Sequence, residues 1–306
     1  MKNQIKKGVI LAAGKGSRLL PLTLNYPKTL LPICNKPLIQ YQIEAMRNEG
    51  INELIIVIGR LGEKIKSYFQ DGSSLCMNIK YVVDEDPKGI ASSLLKAKDL
   101  LDGFFVLFLG DIFMPNIDLS KVLKDSSGSK AEAIVVAKQE VTFEAVKRNF
   151  AIVSEKDNRI TKVVEKPKNP PTLVKGIGLY VFSPLIFEAI KKTSPSNLRG
   201  EIELTDSIQT LIDRGGKVYS HLQDLWEVNL SYPEDLLECN LRVLKEKNLT
   251  NLIGEGVKLG KNSRVSSSVV GDRSIIENSV VMDECLVLPK TVVKKEQFPL
   301  YRQILV

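Results

Sequence analysis

Val9-Ile10-Leu11-Ala12-Ala13-Gly14-Lys15-Gly16-Ser17-Arg18 is the stretch on which the reading of this chain turns. Its first five residues, Val9 to Ala13, are apolar and fit one buried strand. Two glycines follow at once, and glycines after a strand let backbone N–H groups approach phosphate oxygens without side-chain interference. Arg18 ends the loop with a planar, permanently charged fork. Neither common nucleotide motif fits: a dinucleotide fingerprint needs a third glycine where Leu19 stands, and a P-loop needs Gly-Lys-Ser/Thr at its end. Taken alone, the loop reads equally as a tight turn or a phosphate cradle.

Outward from this stretch, short apolar runs alternate with helical patterns. The runs are Val9 to Ala13, Glu53 to Ile58, Ile79 to Val83, Phe104 to Leu109 and Ala133 to Ala137, with Ile160 to Val164 and Ile177 to Phe182 beyond them. Pro37 to Arg47 and Ala91 to Leu101 carry apolar residues at helical spacing and read as crossover helices, and Pro184 opens another helix running to Lys192. Such alternation predicts an α/β fold, a Rossmann-like doubly wound mixed sheet with helices on both faces. From about Leu252 the texture changes. Ile253, Leu259 and Val265 fall six residues apart, and apolar pairs Val269-Val270, Ile275-Ile276, Val280-Val281 and Leu286-Val287 follow among Gly, Ser and Asn. That period predicts a short C-terminal left-handed parallel β-helix of two or three coils, with a β-hairpin tail as the alternative. The expected division is a catalytic domain over 1–249 and the β-helix over 250–306.

The chain has 306 residues, 43% hydrophobic and 26% charged, an ordinary globular composition with room for a large core. No apolar run approaches the roughly 20 residues of a membrane span, so no membrane association is expected. Lys2, Lys6 and Lys7 precede an apolar stretch, but five residues are too few for a secretory signal, and a cytoplasmic enzyme is expected. Cys34, Cys76, Cys239 and Cys285 are scattered without a C-x-x-C pair, which argues against zinc or a disulfide framework. The net charge of +7, from 43 basic and 36 acidic residues, is spread along the chain; it suits small phosphorylated substrates better than nucleic acid.

Longer motifs carry a family resemblance. Leu11 to Thr23 (Leu-Ala-Ala-Gly-Lys-Gly-Ser-Arg-Leu-Leu-Pro-Leu-Thr), Pro27-Lys28-Thr29-Leu30-Leu31-Pro32-Ile33 and Lys36-Pro37-Leu38-Ile39 closely resemble the signature of sugar-phosphate nucleotidylyltransferases. The resemblance continues through Gly89-Ile90-Ala91, Gly110-Asp111, Glu165-Lys166-Pro167, Gly178-Leu179-Tyr180, Gly200 to Asp206 and Pro233 to Leu237, so it spans nearly the whole chain. It implies an enzyme in which a phosphate oxygen of a sugar-1-phosphate attacks the α-phosphorus of a nucleoside triphosphate and pyrophosphate leaves. The nucleophile is already anionic, so such catalysis needs positioning and charge neutralisation and no general base. His221 is the only histidine, in keeping with that.

The resemblance also implies roles. Arg18, Lys28, Asp111 and Lys166 are the catalytic candidates: Arg18 for the β- and γ-phosphates, Lys28 for the α-phosphate, Lys166 for the sugar phosphate and Asp111 as a magnesium ligand. Leu11, Ala12, Ala13, Gly14, Gly16, Ser17, Asp84 and Gly89 are expected around the nucleotide, and Glu165, Gly176 and Glu201 join Lys166 around the sugar phosphate. Asp111 follows the run Phe104 to Leu109, at a strand end where ligands of open α/β sheets collect. Magnesium takes hard oxygen ligands and few of them from protein.

Three departures bear on specificity. Asn229 stands where a second metal-binding Asp is usual; asparagines also occur there in bacterial uridylyltransferases for N-acetylglucosamine-1-phosphate. Asp84 replaces a base-contacting glutamine, and an ionised carboxylate only accepts hydrogen bonds, from uracil or thymine N3–H or from guanine. Phe150-Ala151 replaces a Tyr-Gly pair, and Gly176 stands where many members carry Asn or Val. Glucose-1-phosphate with dTTP or UTP is the leading pair. An N-acetylglucosamine-1-phosphate uridylyltransferase, a mannose- or heptose-1-phosphate guanylyltransferase, and a silent regulatory paralogue that binds nucleotide sugars remain open. An acetyltransferase in the tail would need a histidine, and 251–306 holds none. A homo-oligomer is expected.

Overall fold

The structure, a computed structural model, describes residues 5–128, 131–196 and 200–306; Lys2 lies outside them. The chain forms two compact units, Met1–Lys15 with Gln42–Glu227, and Gly16–Tyr41 with Val228–Val306.

The first unit is built on a nine-stranded sheet. In chain order its strands are β1 (Lys7–Ala12), β2 (Glu53–Ile58), β3 (Asn78–Val83), β4 (Phe105–Leu109), β5 (Ala133–Gln139), β6 (Phe150–Ser154), β7 (Ile160–Glu165), β8 (Val174–Phe182) and β9 (Val218–Leu222). β1 pairs in parallel with β2 and β4, and β2 with β3. β8 reverses direction: it runs antiparallel to β4, β5 and β6, while β6 and β7 are antiparallel to each other and β9 is parallel to β5. The sheet is therefore mixed, as the sequence pattern predicts. Leu54 to Ile58, Phe105 to Phe108 and Ala133 to Ala137 are buried without a break, the signature of strands covered on both faces.

The helices are α1 (Leu38–Asn48), α2 (Gly62–Phe69), α3 (Ile90–Leu95), α4 (Leu119–Gly128), α5 (Phe143–Lys147), α6 (Leu185–Lys192) and α7 (Leu204–Asp213). α3 is shorter than the apolar spacing of Ala91 to Leu101 predicts. The amides of Lys96 and Ala97 bond three residues back, to Ser93 and Leu94, and the chain continues as a 3₁₀ turn over Lys98–Leu100. One core joins β1, β2, β4, β5 and β8 to α3, α6 and α7. Phe105 stacks on Phe187 at 5.7 Å and lies 6.1 Å from Phe182.

Lys175 is one of the charged groups buried inside this unit. The Lys175 ammonium lies 2.8 Å from a Glu140 carboxylate oxygen and 2.7 Å from one of Glu227, and Lys138 adds a contact to Glu140 at 3.6 Å. The Lys175 side chain is 8% exposed and that of Glu227 is 7% exposed. Burial pushes the Lys175 ammonium down, but the charges of Glu227 and Glu140 more than reverse this and raise it above the ordinary lysine value.

In the second unit three 3₁₀ turns, Ser17–Leu19, Leu22–Leu24 and Lys28–Leu30, lead to a small hairpin pairing Pro32–Ile33 with Lys36–Pro37. α8 (Pro233–Glu246) starts with proline, which gives up no intrahelical bond at that position. Its fully buried Asn240 accepts the Cys34 amide at 2.7 Å and donates to the Pro32 carbonyl at 3.0 Å, fixing the hairpin. After α8 come two- and three-residue strands in three parallel ladders. Leu252 pairs with Val269, Val269 with Leu286 and Leu286 with Ile304, so successive rungs of this ladder are 17, 17 and 18 residues apart. Val270, Ile276, Met282, Val287 and Val293 fill the interior. The apolar pairs Val269-Val270, Ile275-Ile276 and Leu286-Val287 thus form strands of a parallel array, while Val280 precedes the strand Val281–Asp283.

Candidate active site

β1 ends at Ala12, and the Gly110 amide donates to the Leu11 carbonyl at 2.9 Å. This bond joins the carboxyl ends of β1 and β4, the neighbouring central strands, and Asp111 is the next residue. Asp111 is half-buried, while Gly14 and Lys15 are exposed. The Ala13 carbonyl is packed so closely by Gly59 that a Cβ at residue 59 would come within 2.5 Å of it. Leu11, Ala12, Ala13, Gly14 and Asp111 therefore form one cluster at these strand ends.

β7 ends in Glu165, whose Oε2 accepts the Thr205 hydroxyl at 2.7 Å and whose Oε1 lies 3.6 Å from the Lys166 ammonium. Lys166 itself takes a left-handed backbone, φ 41°, with its amide bonded to the Asn149 carbonyl at 2.8 Å. A non-glycine residue held there stores strain that the surrounding structure must stabilise. The exposed Lys166 side chain thus leaves the strand at a fixed angle. Tyr180 records the nearby charges: burial first, then Glu165 and Asp111, push its phenol far above the ordinary tyrosine value. Asp206 is likewise raised by burial and by Glu165.

The Gly89 turn meets the Gly200 to Asp206 segment. Gly89 has φ 111°, open to glycine alone, and a Cβ there would come within 2.6 Å of the Ile202 carbonyl and 3.0 Å of the Glu201 Cβ. The Ile202 amide donates to the Lys88 carbonyl and the Ala91 amide to the Ile202 carbonyl, at 3.0 and 3.2 Å. Two motifs far apart in sequence are one piece of structure, carrying Glu201 beside Gly89 and Thr205 beside Glu165.

Asp84 and Gly176 are placed differently from the sequence expectation. Asp84 is fully buried, its carboxylate accepting the Ser93 hydroxyl at 2.6 Å and pairing with Lys96 at 3.0 Å. Both partners lie on α3 or its end, so the carboxylate ties β3 to the helix that begins at Gly89. Gly176 is buried under the Phe150 ring: a Cβ there would lie 1.9 Å from Phe150 Cζ. Phe150 in turn stacks on Tyr180, centroids 6.5 Å apart. The pairing of an aromatic residue at 150 with glycine at 176 is a packing match, visible only once β6 and β8 are side by side.

Gly16, Ser17, Arg18, Lys28 and Asn229 belong to the second unit. Gly16, at φ 65°, packs within 3.0 Å of Thr23 Cγ2 and 3.3 Å of Lys28 Cβ, measured from the position of an added Cβ. The Thr23 hydroxyl donates to the Gly16 carbonyl at 2.8 Å. The turn that carries Ser17 and Arg18 is therefore fastened to the one that carries Lys28. The Arg18 guanidinium lies over the Tyr232 ring, 5.6 Å from its centroid. Asn229 is exposed, and its side-chain oxygen accepts the Ser231 hydroxyl at 3.3 Å.

The nucleotidyl transferase family matches residues 7–246, well over half of the chain. The chain belongs to this family. Among its relatives, a low-salt glycan biosynthesis nucleotidyltransferase of Haloferax volcanii is 39% identical over 246 residues, covering 79% of this chain and 67% of the relative. A glucose-1-phosphate thymidylyltransferase of Streptomyces griseus is 33% identical over 292 residues, 90% of this chain and 80% of the relative. Among solved structures, a UDP-glucose pyrophosphorylase complexed with UDP-glucose superposes with a TM-score of 0.72 at 27% identity, covering 79% of this chain and 99% of that one.

In this transferase no group of three or more His, Cys, Asp and Glu side chains is arranged to hold a metal among the described residues. A magnesium site of the phosphate-binding kind needs less, one or two protein oxygens completed by phosphate and water, and the Asp111 carboxylate is a donor of that type. Thr205, Asp206 and Tyr232 stand around the candidate side chains without a role assigned from the sequence. The first two were within reach, since they lie in the quoted segment ending at Asp206; nothing in the sequence pairs Tyr232 with Arg18. Among the described residues, no helix of the transferase is long and apolar enough to cross a membrane.

Proposed function

We propose that this nucleotidyl transferase joins a nucleoside triphosphate to a sugar-1-phosphate and releases pyrophosphate, with glucose-1-phosphate and dTTP or UTP as the pair to test first. The observation that carries the reading is the strand-end cluster, in which the Gly110–Leu11 bond sets Asp111 beside the start of the glycine loop. The names of the relatives support the substrate class.

In this proposal the Gly14 to Ser17 amides and Arg18 hold the β- and γ-phosphates, and Lys28 neutralises the α-phosphate. Lys166, directed by its left-handed backbone, holds the sugar phosphate so that an anionic oxygen faces the α-phosphorus in line. Glu165, oriented by Thr205, and Glu201 accept hydrogen bonds from sugar hydroxyls. Leu11, Ala12, Ala13 and Gly89 surround the nucleoside, and Asp84 serves it through the α3 start that it anchors. Gly176 shapes the sugar side by admitting Phe150. Asp111 and Asn229 would hold magnesium, which when bound screens the phosphate charges and the leaving pyrophosphate. Departure of pyrophosphate needs no proton from a protein acid, consistent with a reaction driven by electrostatics.

We further read 1–249 as the catalytic domain and 250–306 as a short left-handed parallel β-helix, in a cytoplasmic homo-oligomer. Pyrophosphate release measured over a grid of four nucleoside triphosphates and several sugar-1-phosphates tests the activity. Turnover with at least one pair is expected. Tight binding of a nucleotide sugar with no release from any pair would instead make the chain a regulatory paralogue.

A further inference from the structure

We infer that Tyr232 is a positioning residue for Arg18, a fixed aromatic shelf that holds the guanidinium ready for a triphosphate; the inference rests on the reading of Arg18 as a phosphate ligand. The guanidinium carbon lies 5.6 Å from the ring centroid, within the range of a cation–π contact. No carboxylate among the described residues pairs with Arg18, so its donors are not spent on an ion pair. The shelf itself is anchored by backbone. The amides of Ser231 and Tyr232 both donate to Asp235 Oδ2, at 2.8 and 2.7 Å, and Pro233 starts α8 directly afterwards.

Tyr232 is 50% exposed, so burial does not explain the orientation of its ring. A guanidinium resting on a ring face keeps its N–H donors in its own plane, pointing outward. Stacking and forked phosphate binding are therefore compatible, and the contact prepares the arginine instead of competing for it. A long exposed arginine otherwise loses rotamer freedom when it grips a ligand, and a pre-stacked one loses less.

The test compares Tyr232→Leu with Tyr232→Phe in the full chain, using inorganic tripolyphosphate by calorimetry and nucleotide KM in turnover. Loss of an exposed cation–π contact should weaken tripolyphosphate binding about two- to fivefold in the leucine variant and raise nucleotide KM similarly. Sugar-phosphate KM should not move, and the phenylalanine variant should match wild type. In an Arg18→Ala background Tyr232→Leu should have no further effect, an outcome that a general role in capping α8 would not produce. Unchanged or tighter tripolyphosphate binding in Tyr232→Leu overturns the inference, as does a phenylalanine variant that fails like leucine. If wild type turns over normally and Tyr232→Leu is silent, only this inference falls. If tripolyphosphate binding depends on Tyr232 but no substrate pair reacts, the proposed activity falls and the inference stands. Wild-type protein that does not bind tripolyphosphate removes both.

Discussion

Lys175→Met tests how much the first unit depends on its buried charges. The substitution keeps side-chain length and removes the ammonium that lies 2.8 Å from Glu140 and 2.7 Å from Glu227. Removing one partner of a buried ion pair costs about 3–5 kcal/mol, because the remaining charge has neither water nor a counter-charge. Lys138, 3.6 Å from Glu140, still serves one carboxylate, which argues for the lower end, about 3 kcal/mol. For a unit of about 200 residues, at roughly 2–4 °C per kcal/mol, the expected fall in melting temperature is about 6–12 °C. The deficit should depend on pH. In wild type, burial pushes the Glu140 carboxyl up, but the Lys175 hydrogen bond and the Lys175 and Lys138 charges outweigh it and hold it below the usual glutamate value. A depressed carboxylate contributes stability above its unfolded pKa of about 4.3 that is lost as pH falls through its folded value. In Lys175→Met the sign reverses: buried carboxylates without their cation destabilise at neutral pH and are relieved as they protonate. Calorimetric melting of both proteins between pH 4 and 8 should show a gap that is full at pH 7 and narrows as the solution is acidified. A triple variant, Lys175→Met with Glu140→Gln and Glu227→Leu, should recover most of the loss. A Lys175→Met protein as stable as wild type at pH 7, or a gap that widens on acidification, would refute the reasoning.

Gly176→Ala should cost about 1–3 kcal/mol of stability by overpacking against Phe150, and adding Phe150→Leu should recover most of it in thermal melts. Lys166→Ala should cut turnover at least a hundredfold while calorimetry finds nucleoside triphosphate binding unchanged, on the order of what misplaced substrates cost; lost triphosphate affinity with normal turnover would reassign the lysine. Asn229→Asp should lower the magnesium concentration for half-maximal rate and Asn229→Ala should raise it, since only the first adds charge to an ion. Parallel curves with the wild-type midpoint would leave Asn229 with its Ser231 hydrogen bond alone.

What the sequence made legible follows from what periodicity and motif encode. Unbroken apolar runs such as Leu54 to Ile58 and Phe105 to Phe108 are strands because only a sheet covered on both faces buries every residue. The six-residue spacing of the tail marked its short strands one by one, Leu252–Ile253, Lys258–Leu259 and onward. The positions of β6 and β9 were not read, being short and flanked by mixed composition. The reversal of β8 was hidden too, since alternation of strands and helices does not encode direction. At the candidate site, residue types were legible and surroundings were not. Asp84 looks like an exposed acceptor until Ser93 and Lys96, 9 and 12 positions on, are folded against it. Lys175 reads as a surface charge until Glu140 and Glu227 arrive from distant segments. A charge can be buried only by partners that the fold supplies, so its burial is written in tertiary contacts, where a linear pattern carries no trace.

The C-terminal ladder also says something about how such a chain can change length. Leu252, Val269 and Leu286 stand on one ladder because each circuit from rung to rung uses 17 residues, so the array grows in whole circuits. A duplicated turn preserves every rung above and below it. An insertion of one residue inside a strand shifts side chains such as Ile276 or Val293 from interior to surface along the rest of that strand. The circuit from Leu286 to Ile304 takes 18 residues, one more than its predecessors, and still closes in register. The extra residue must therefore be absorbed between strands, in the stretch from Val293 to Leu300 that includes the exposed Phe298. Natural variants of this tail should accordingly differ by multiples of about one circuit, with any remainder confined to the bends.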